Sequence, residues 1–210
     1  MNFPPEIYIT DLLGTFTFAA YGAYVALKKE FDIFGVSACA LLTGLGGGTI
    51  REMILGNIPF YFYDNNYIYA IILGIALSII LFKIFEKIMP YMLALDAIGL
   101  ATFAFIGAAR ASEAHLGAFG IILLATITAV GGGLLRDIAI IEIPQIFFSD
   151  FYASPAIFLG IIYSLLKNYM NKPVYVFALI FFTFVLRLYA ICFKINLWKP
   201  YRKKIKTNQP

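Results

Sequence analysis

The sequence predicts an all-α integral membrane protein of seven transmembrane helices, arranged as two inverted three-helix repeats plus one, with helices 2 and 5 broken at Gly-Gly-Gly. Three observations lead there. Of the 210 residues 61% are hydrophobic and 13% charged, with a mean hydropathy of +0.85, whereas a soluble domain is about 45 to 50% apolar and about 25% charged. Seven apolar runs approach the length of about 20 residues that a spanning helix requires. A register of i to i+85 lays the first three runs on the next three, with 18 of the 50 pairs from Asp11 to Phe60 identical.

In chain order the runs fall near 7–27, 34–56, 67–87, 91–111, 118–141, 153–171 and 174–193. Short connectors separate them: Lys28-Lys29-Glu30, Asp64-Asn65-Asn66, Pro90, Ser112-Glu113-Ala114-His115, Ser149-Asp150 and Asn171-Lys172-Pro173. They leave no room for a soluble domain. The chain is therefore read as one transmembrane domain over 1–210: repeat A about 7–87, repeat B about 91–171, a seventh helix and a basic tail 194–210. Met1 to Glu6 lacks the basic start and cleavage site of a secretory peptide, so the first run reads as a span.

The net charge of +4 does not point to nucleic acid, because the lysines collect at span ends and in the tail. Lys28, Lys29, Lys83, Lys87, Lys194, Lys199, Arg202, Lys203, Lys204 and Lys206 fall on one side and Arg110, Lys167 and Lys172 on the other. Basic residues mark the cytoplasmic side, which puts the C-terminus inside and, with seven spans, the N-terminus outside. Cys39 and Cys192 lie in spans without metal-ligand spacing and read as small core residues.

Three spans per copy is an odd number, so the second copy enters the membrane in the opposite sense. The copies share Asp11 with Asp96, Gly14 with Gly99, Gly22 with Gly107, Thr43 with Thr128, Arg51 with Arg136 and Pro59 with Pro144. The spaced glycines Gly14, Gly22, Gly99 and Gly107 suit close helix packing. The triplets Gly46, Gly47, Gly48 and Gly131, Gly132, Gly133 are expected to do more. Each glycine costs about 1 kcal/mol relative to alanine in a helix. Three in a row offer a place where the ladder opens and turns carbonyls toward a polar pathway, since loose backbone at that depth needs protein or water beside it. A tight crossing without an opening is the alternative.

Arg51 and Arg136 follow the triplets by three residues. An arginine at mid-membrane costs roughly 2.5 to 3.5 kcal/mol on insertion scales and faces a bundle interior or water. Helical side chains lean toward the N-terminus, which lays each guanidinium over the glycine turn. Glu52 and Asp137 are adjacent to their arginines, and neighbours do not face each other on a regular helix. A partner from another span is therefore expected. At about 1.5 Å per residue, Asp11 and Arg51 share a depth near one surface, and Asp96 and Arg136 share one near the other. Two charge pairs, one closing each mouth, follow.

Thr43 and Thr128 stand one turn before Gly47 and Gly132, where a hydroxyl serves either a permeating ion or its own helix backbone. Arg187 has no repeat partner and reads as a lipid or subunit contact. His115 reads as solvated, and the aromatic residues from Phe60 to Tyr69 as interfacial anchors. The tail Lys199 to Lys206 suits anionic lipid.

The doubled Gly-Gly-Gly-x-x-Arg-[Asp/Glu], with a proline seven residues past each acidic position, resembles the prokaryotic form of the trimeric intracellular cation channels, the TRIC family. Bacterial relatives in that superfamily are described as glycine transporters. The resemblance covers roughly 8–193 and rests on Gly46, Gly47, Gly48, Arg51, Gly131, Gly132, Gly133 and Arg136. It implies a homotrimer in a cell membrane, with one pore per subunit lined by kinked helices 2 and 5, passing K+ or Na+ and contacting membrane lipid. Animal members carry Lys-Glu-Val in the second span, where this chain has Thr49-Ile50-Arg51-Glu52-Met53, so inositol-lipid regulation does not carry over; nor does reticulum localisation, for which the sequence holds no retention signal.

In a channel, exposed carbonyls with Asp11, Glu52, Asp96 and Asp137 would offset ion dehydration. Secondary transport of a small amino acid such as glycine uses the same inverted repeat and broken helices. No enzyme signature is present: the spans hold no histidine, no nucleophile elbow and no phosphate loop. No cofactor is expected.

Overall fold

The structure, a computed structural model, describes residues 5–87, 89–148, 151–170, 172–193 and 195. The basic tail and the side chain of Lys87, both used above for orientation, lie outside what is described. Eight α-helices follow in order: α1 Pro5–Lys28, α2 Ile33–Ile54, α3 Asn66–Lys87, α4 Met89–Glu113, α5 Ala118–Ala139, the single turn α6 Gln145–Phe148, α7 Ser154–Leu166 and α8 Pro173–Cys192. Short 3-10 turns lie at Phe60–Phe62 and Lys167–Tyr169. Among the described residues five helices are long and apolar enough to cross a membrane: Ile33–Ile54, Asn66–Ile84, Leu93–Glu113, Ala118–Ala139 and Pro173–Cys192. α7 has only 13 residues, fewer than its apolar run suggests.

Local chemistry explains the ends. The Asp32 carboxylate accepts from the Gly35 amide at 2.8 Å and caps the open start of α2. Proline stands in the first turn of α7 and of α8, where its missing N–H costs nothing. The repeat is repeated in the backbone. After α1 and α4, Glu30 and His115 turn left-handed at φ 59° and 56°. The Phe31 amide then donates to the Ala26 carbonyl, and that of Leu116 to Ala111. After α2 and α5 the left-handed residues are Gly56 and Ile141, at φ 71° and 58°. The closing bonds run from Asn57 to Glu52 and from Glu142 to Asp137, both 2.9 Å. All four closures have the Schellman form, an amide five residues beyond the carbonyl it bonds.

α1 packs on α2, α3 and α4; α4 packs on α5, α7 and α8; and α2 lies along α5. At the α1–α4 crossing the Phe18 and Phe103 rings meet edge to face, centroids 5.0 Å apart and planes at 84°. Each ring fills the space over the other copy's glycine, Phe103 against Gly14 and Phe18 against Gly99. Gly22 likewise receives Thr43, and Gly107 receives Thr128. The spaced glycines are packing devices.

The triplets correct the expectation of broken helices. α2 and α5 run as continuous α-helix through Gly46–Gly48 and Gly131–Gly133. The reason is a backbone-to-backbone crossing. A Cβ at Gly47 would collide with the Thr128 carbonyl, and one at Gly132 with the Thr43 carbonyl. A Cβ at Gly46 would stand 3.3 Å from the Gly132 Cα, and one at Gly131 3.1 Å from the Gly47 Cα. Absent side chains let two intact ladders touch, as at small-residue crossings in lipid. The wet gap anticipated between the triplets is a closed contact.

Two charged clusters flank the helix crossing

Beyond the crossing on one side, Arg51 and Glu52 are buried at 0% and 1% exposure. Arg51 Nε donates to Glu52 Oε1 at 2.7 Å. Arg110 grips the same carboxylate, Nη2 to Oε2 at 3.1 Å and Nε to Oε1 at 3.3 Å, while its Nη1 holds Glu113 at 2.7 Å. Asn57 donates a fourth contact to Glu52 Oε2 at 3.1 Å. Asp11, equally buried, accepts from the Tyr67 hydroxyl at 2.9 Å and lies within electrostatic reach of Arg51, Glu52 and Arg110.

The second cluster repeats the first with one substitution of parts. Arg136 binds Asp137 Oδ1 through Nε at 2.9 Å and Nη2 at 2.6 Å. The Gln145 amide donates to Asp137 Oδ2 at 2.8 Å. Asp96 accepts from the Tyr152 hydroxyl at 3.1 Å and pairs with Arg187 at 4.0 Å. Aromatic faces cover the guanidinium groups: Phe60 stands 5.4 Å from Arg51, Tyr21 4.9 Å from Arg136 and Tyr152 4.5 Å from Arg187. Such faces attract a desolvated cation.

Asp11 and Arg51 do share one level of the bundle, and Asp96 and Arg136 another, but the expected pairs between spans are not the ones formed. Each arginine bonds its own sequence neighbour. The regular-helix rule concerns the directions of Cβ atoms, and a long arginine stem bends around the last helical turn to reach a carboxylate one residue on. The aspartates are taken by tyrosines instead. The lean of the arginines follows expectation, with a Cβ at Gly48 standing 3.8 Å from Arg51 Nη2 and one at Gly133 3.9 Å from Arg136 Nη2. Arg51 Nη1 and Nη2 and Arg136 Nη1 are buried without a protein hydrogen-bond partner.

At the crossing itself Thr43 gives its hydroxyl to its own helix, at the Cys39 carbonyl, 2.6 Å away. The Thr128 hydroxyl is buried and has no such partner. Arg187, expected at lipid or a subunit boundary, is 2% exposed and belongs to the second cluster. Arg110, counted above among the charges that set orientation, is an interior ion-pair residue.

Tyr67, Tyr152, Arg110 and Gln145 were not singled out by sequence. The tyrosines were legible: the i+85 register continues past Phe60 and pairs Tyr67 with Tyr152. Arg110 had a weaker sign, its place inside the fourth apolar run. Gln145 contributes its backbone amide, which no side-chain pattern reveals.

The sequence matches the family described as glycine transporter twice, over residues 8–83 and 93–168, once per repeat. It is 36% identical over 195 residues to a UPF0126 membrane protein of Vibrio cholerae, covering 91% of this chain and 81% of that one. It is 34% identical to the inner membrane protein YadS of Escherichia coli K12, over 91% of this chain and 94% of the other. Among solved structures, a TRIC cation channel superposes with a TM-score of 0.84 at 32% identity, over 93% and 98% of the two chains. A TRIC orthologue from Rhodobacter sphaeroides gives 0.81 at 30%, over 90% and 98%.

Proposed function

The chain belongs to the prokaryotic TRIC family and to the family described as glycine transporter, and from that premise we propose that it is a homotrimeric channel for monovalent cations with one pathway per subunit. The observation that carries this reading is the pairing of a closed α2–α5 crossing with a buried cluster of paired acids and arginines on either side. In this reading the chain crosses the membrane seven times, with α7 and its 3-10 turn as the sixth crossing, and the bias of basic residues supports an outside N-terminus and a cytoplasmic C-terminus.

Opening separates α2 from α5 at the triplets. At Gly47 and Gly132 that contact is backbone against backbone, with Leu135 and Ile50 packed beside it, so a displacement there uncovers the Thr43 and Thr128 carbonyls and the Thr128 hydroxyl. Oxygens of this kind replace a cation's hydration shell. Asp11, Glu52, Asp96 and Asp137 offer carboxylate oxygens at the two mouths. Their arginines keep those carboxylates from becoming a trap.

Recordings of the full-length protein in planar bilayers under K+ and Na+ gradients test this. Unitary currents reversing near the cation equilibrium potential are expected, altered when Arg51 or Arg136 is replaced. A second reading, transport of a small amino acid, is favoured by the same closed crossing between two charged clusters. It predicts saturable counterflow without unitary currents.

A further inference from the structure

The end of the bundle that holds Asp11 and Arg51 also carries a cavity of about 330 Å3, formed by α4, α7 and its 3-10 turn, the start of α8 and Ile7 of α1. Its floor is apolar, with Phe105, Ala109 and Val176, and the Phe105 ring stands edge-on to Tyr163 at 5.5 Å. Its lining carries opposite charges, Glu113 and Lys167. Among the described residues Glu113 is ion-paired to Arg110 and Lys167 to none. A concave apolar floor with a few convergent polar groups is the usual form of a small-molecule site.

Glu113 is also the outer member of a continuous chain. It binds Arg110, Arg110 binds Glu52, and Glu52 binds Arg51, whose guanidinium leans over Gly48 at the crossing. We propose that this cavity binds a small zwitterion with an apolar body, its ammonium on Glu113 and its acid group on Lys167. Occupancy draws Glu113 off Arg110, tightens Arg110 on Glu52 and so biases Arg51 beside the crossing. The binding stands on the cavity alone; the coupling rests on the channel reading. The zwitterion has two sources, a free apolar amino acid or the aminoethyl-phosphate headgroup of a lipid.

The experiment uses the full-length protein in nanodiscs of phosphatidylglycerol only, titrated calorimetrically with leucine and, separately, with a short-chain phosphatidylethanolamine. Saturable binding of one molecule per chain is expected. Glu113→Gln and Lys167→Gln should each weaken it at least ten-fold, and Lys172→Gln, outside the lining, should not. Both replaced side chains are exposed, so the fold is retained. Binding of leucine alone assigns a solute, and of the lipid alone a headgroup. Absence of saturable binding by either, or binding that survives both replacements, overturns the site. In recordings the ligand should change open probability at least two-fold in the unmodified protein and not in Glu113→Gln. Binding without that change overturns the coupling; binding with no cation current at all overturns the channel reading and leaves the site standing.

Discussion

The two charged clusters are copies of one design, and the largest divergence between them lies in one part. Both hold an aspartate bonded by a tyrosine 56 residues further along the chain, and an arginine bonded to the acid beside it. What differs is the second arginine. Arg110 joins the first cluster from α4 and strengthens the grip on Glu52, an acid already held by Arg51. Arg187 joins the second from α8, outside the repeat, and pairs with Asp96, whose only hydrogen-bond donor among the described residues is Tyr152. Duplication supplied the four common residues, and each half then recruited its own extra cation, to a different acid.

The largest effect should come from breaking that difference. Removing one partner of a buried ion pair costs about 3–5 kcal/mol, because the other charge is stranded. Arg187→Met leaves Asp96 so exposed to the apolar interior, and thermal unfolding in detergent should fall accordingly. Arg110→Met leaves Glu52 with Arg51 and Asn57, and should cost less than half as much. Adding Asp96→Asn should rescue Arg187→Met and do nothing for Arg110→Met. Equal losses from the two arginine variants would erase the contrast.

Where the halves are alike, the effects should match. Gly47→Ala and Gly132→Ala each push a methyl into a backbone carbonyl of the other helix. Overpacking of this kind costs about 1–3 kcal/mol, and the same stability assay should give similar values for both. Tyr67→Phe and Tyr152→Phe each remove one hydrogen bond to a buried carboxylate, worth about 1.5–3 kcal/mol for a charged acceptor. The two losses should be similar, since each aspartate has two arginines within electrostatic reach.

The smallest effect separates Gly56 from Ile141. Both occupy the same left-handed position, but a β-branched side chain is strained there. Ile141→Gly should stabilise by about 1 kcal/mol, and Gly56→Ala should destabilise by a similar amount.

Helices, their order and the repeat were legible in the sequence because apolar length and an ungapped register are one-dimensional signals. Asp11, Arg51, Asp96 and Arg136 could be placed at common depths by rise per residue alone. Partner choice could not. It depends on how far an arginine stem bends and on which tyrosine arrives from α3 or from the turn before α7. The triplets were read as weak points because glycine lowers helix propensity, yet two ladders in direct contact retain every internal bond. Intrinsic propensity yields to tertiary packing there, and only the position of Thr128 against Gly47 reveals it.

The proposal that cations pass where α2 meets α5 is tested most directly at Thr128, whose hydroxyl lies at that crossing without a partner. With Cys39 and Cys192 replaced by alanine, Thr128→Cys should yield currents that a small thiol-reactive cation blocks irreversibly, faster when the channel is open than when it is shut. Normal currents that the reagent leaves untouched would show that the pathway runs elsewhere.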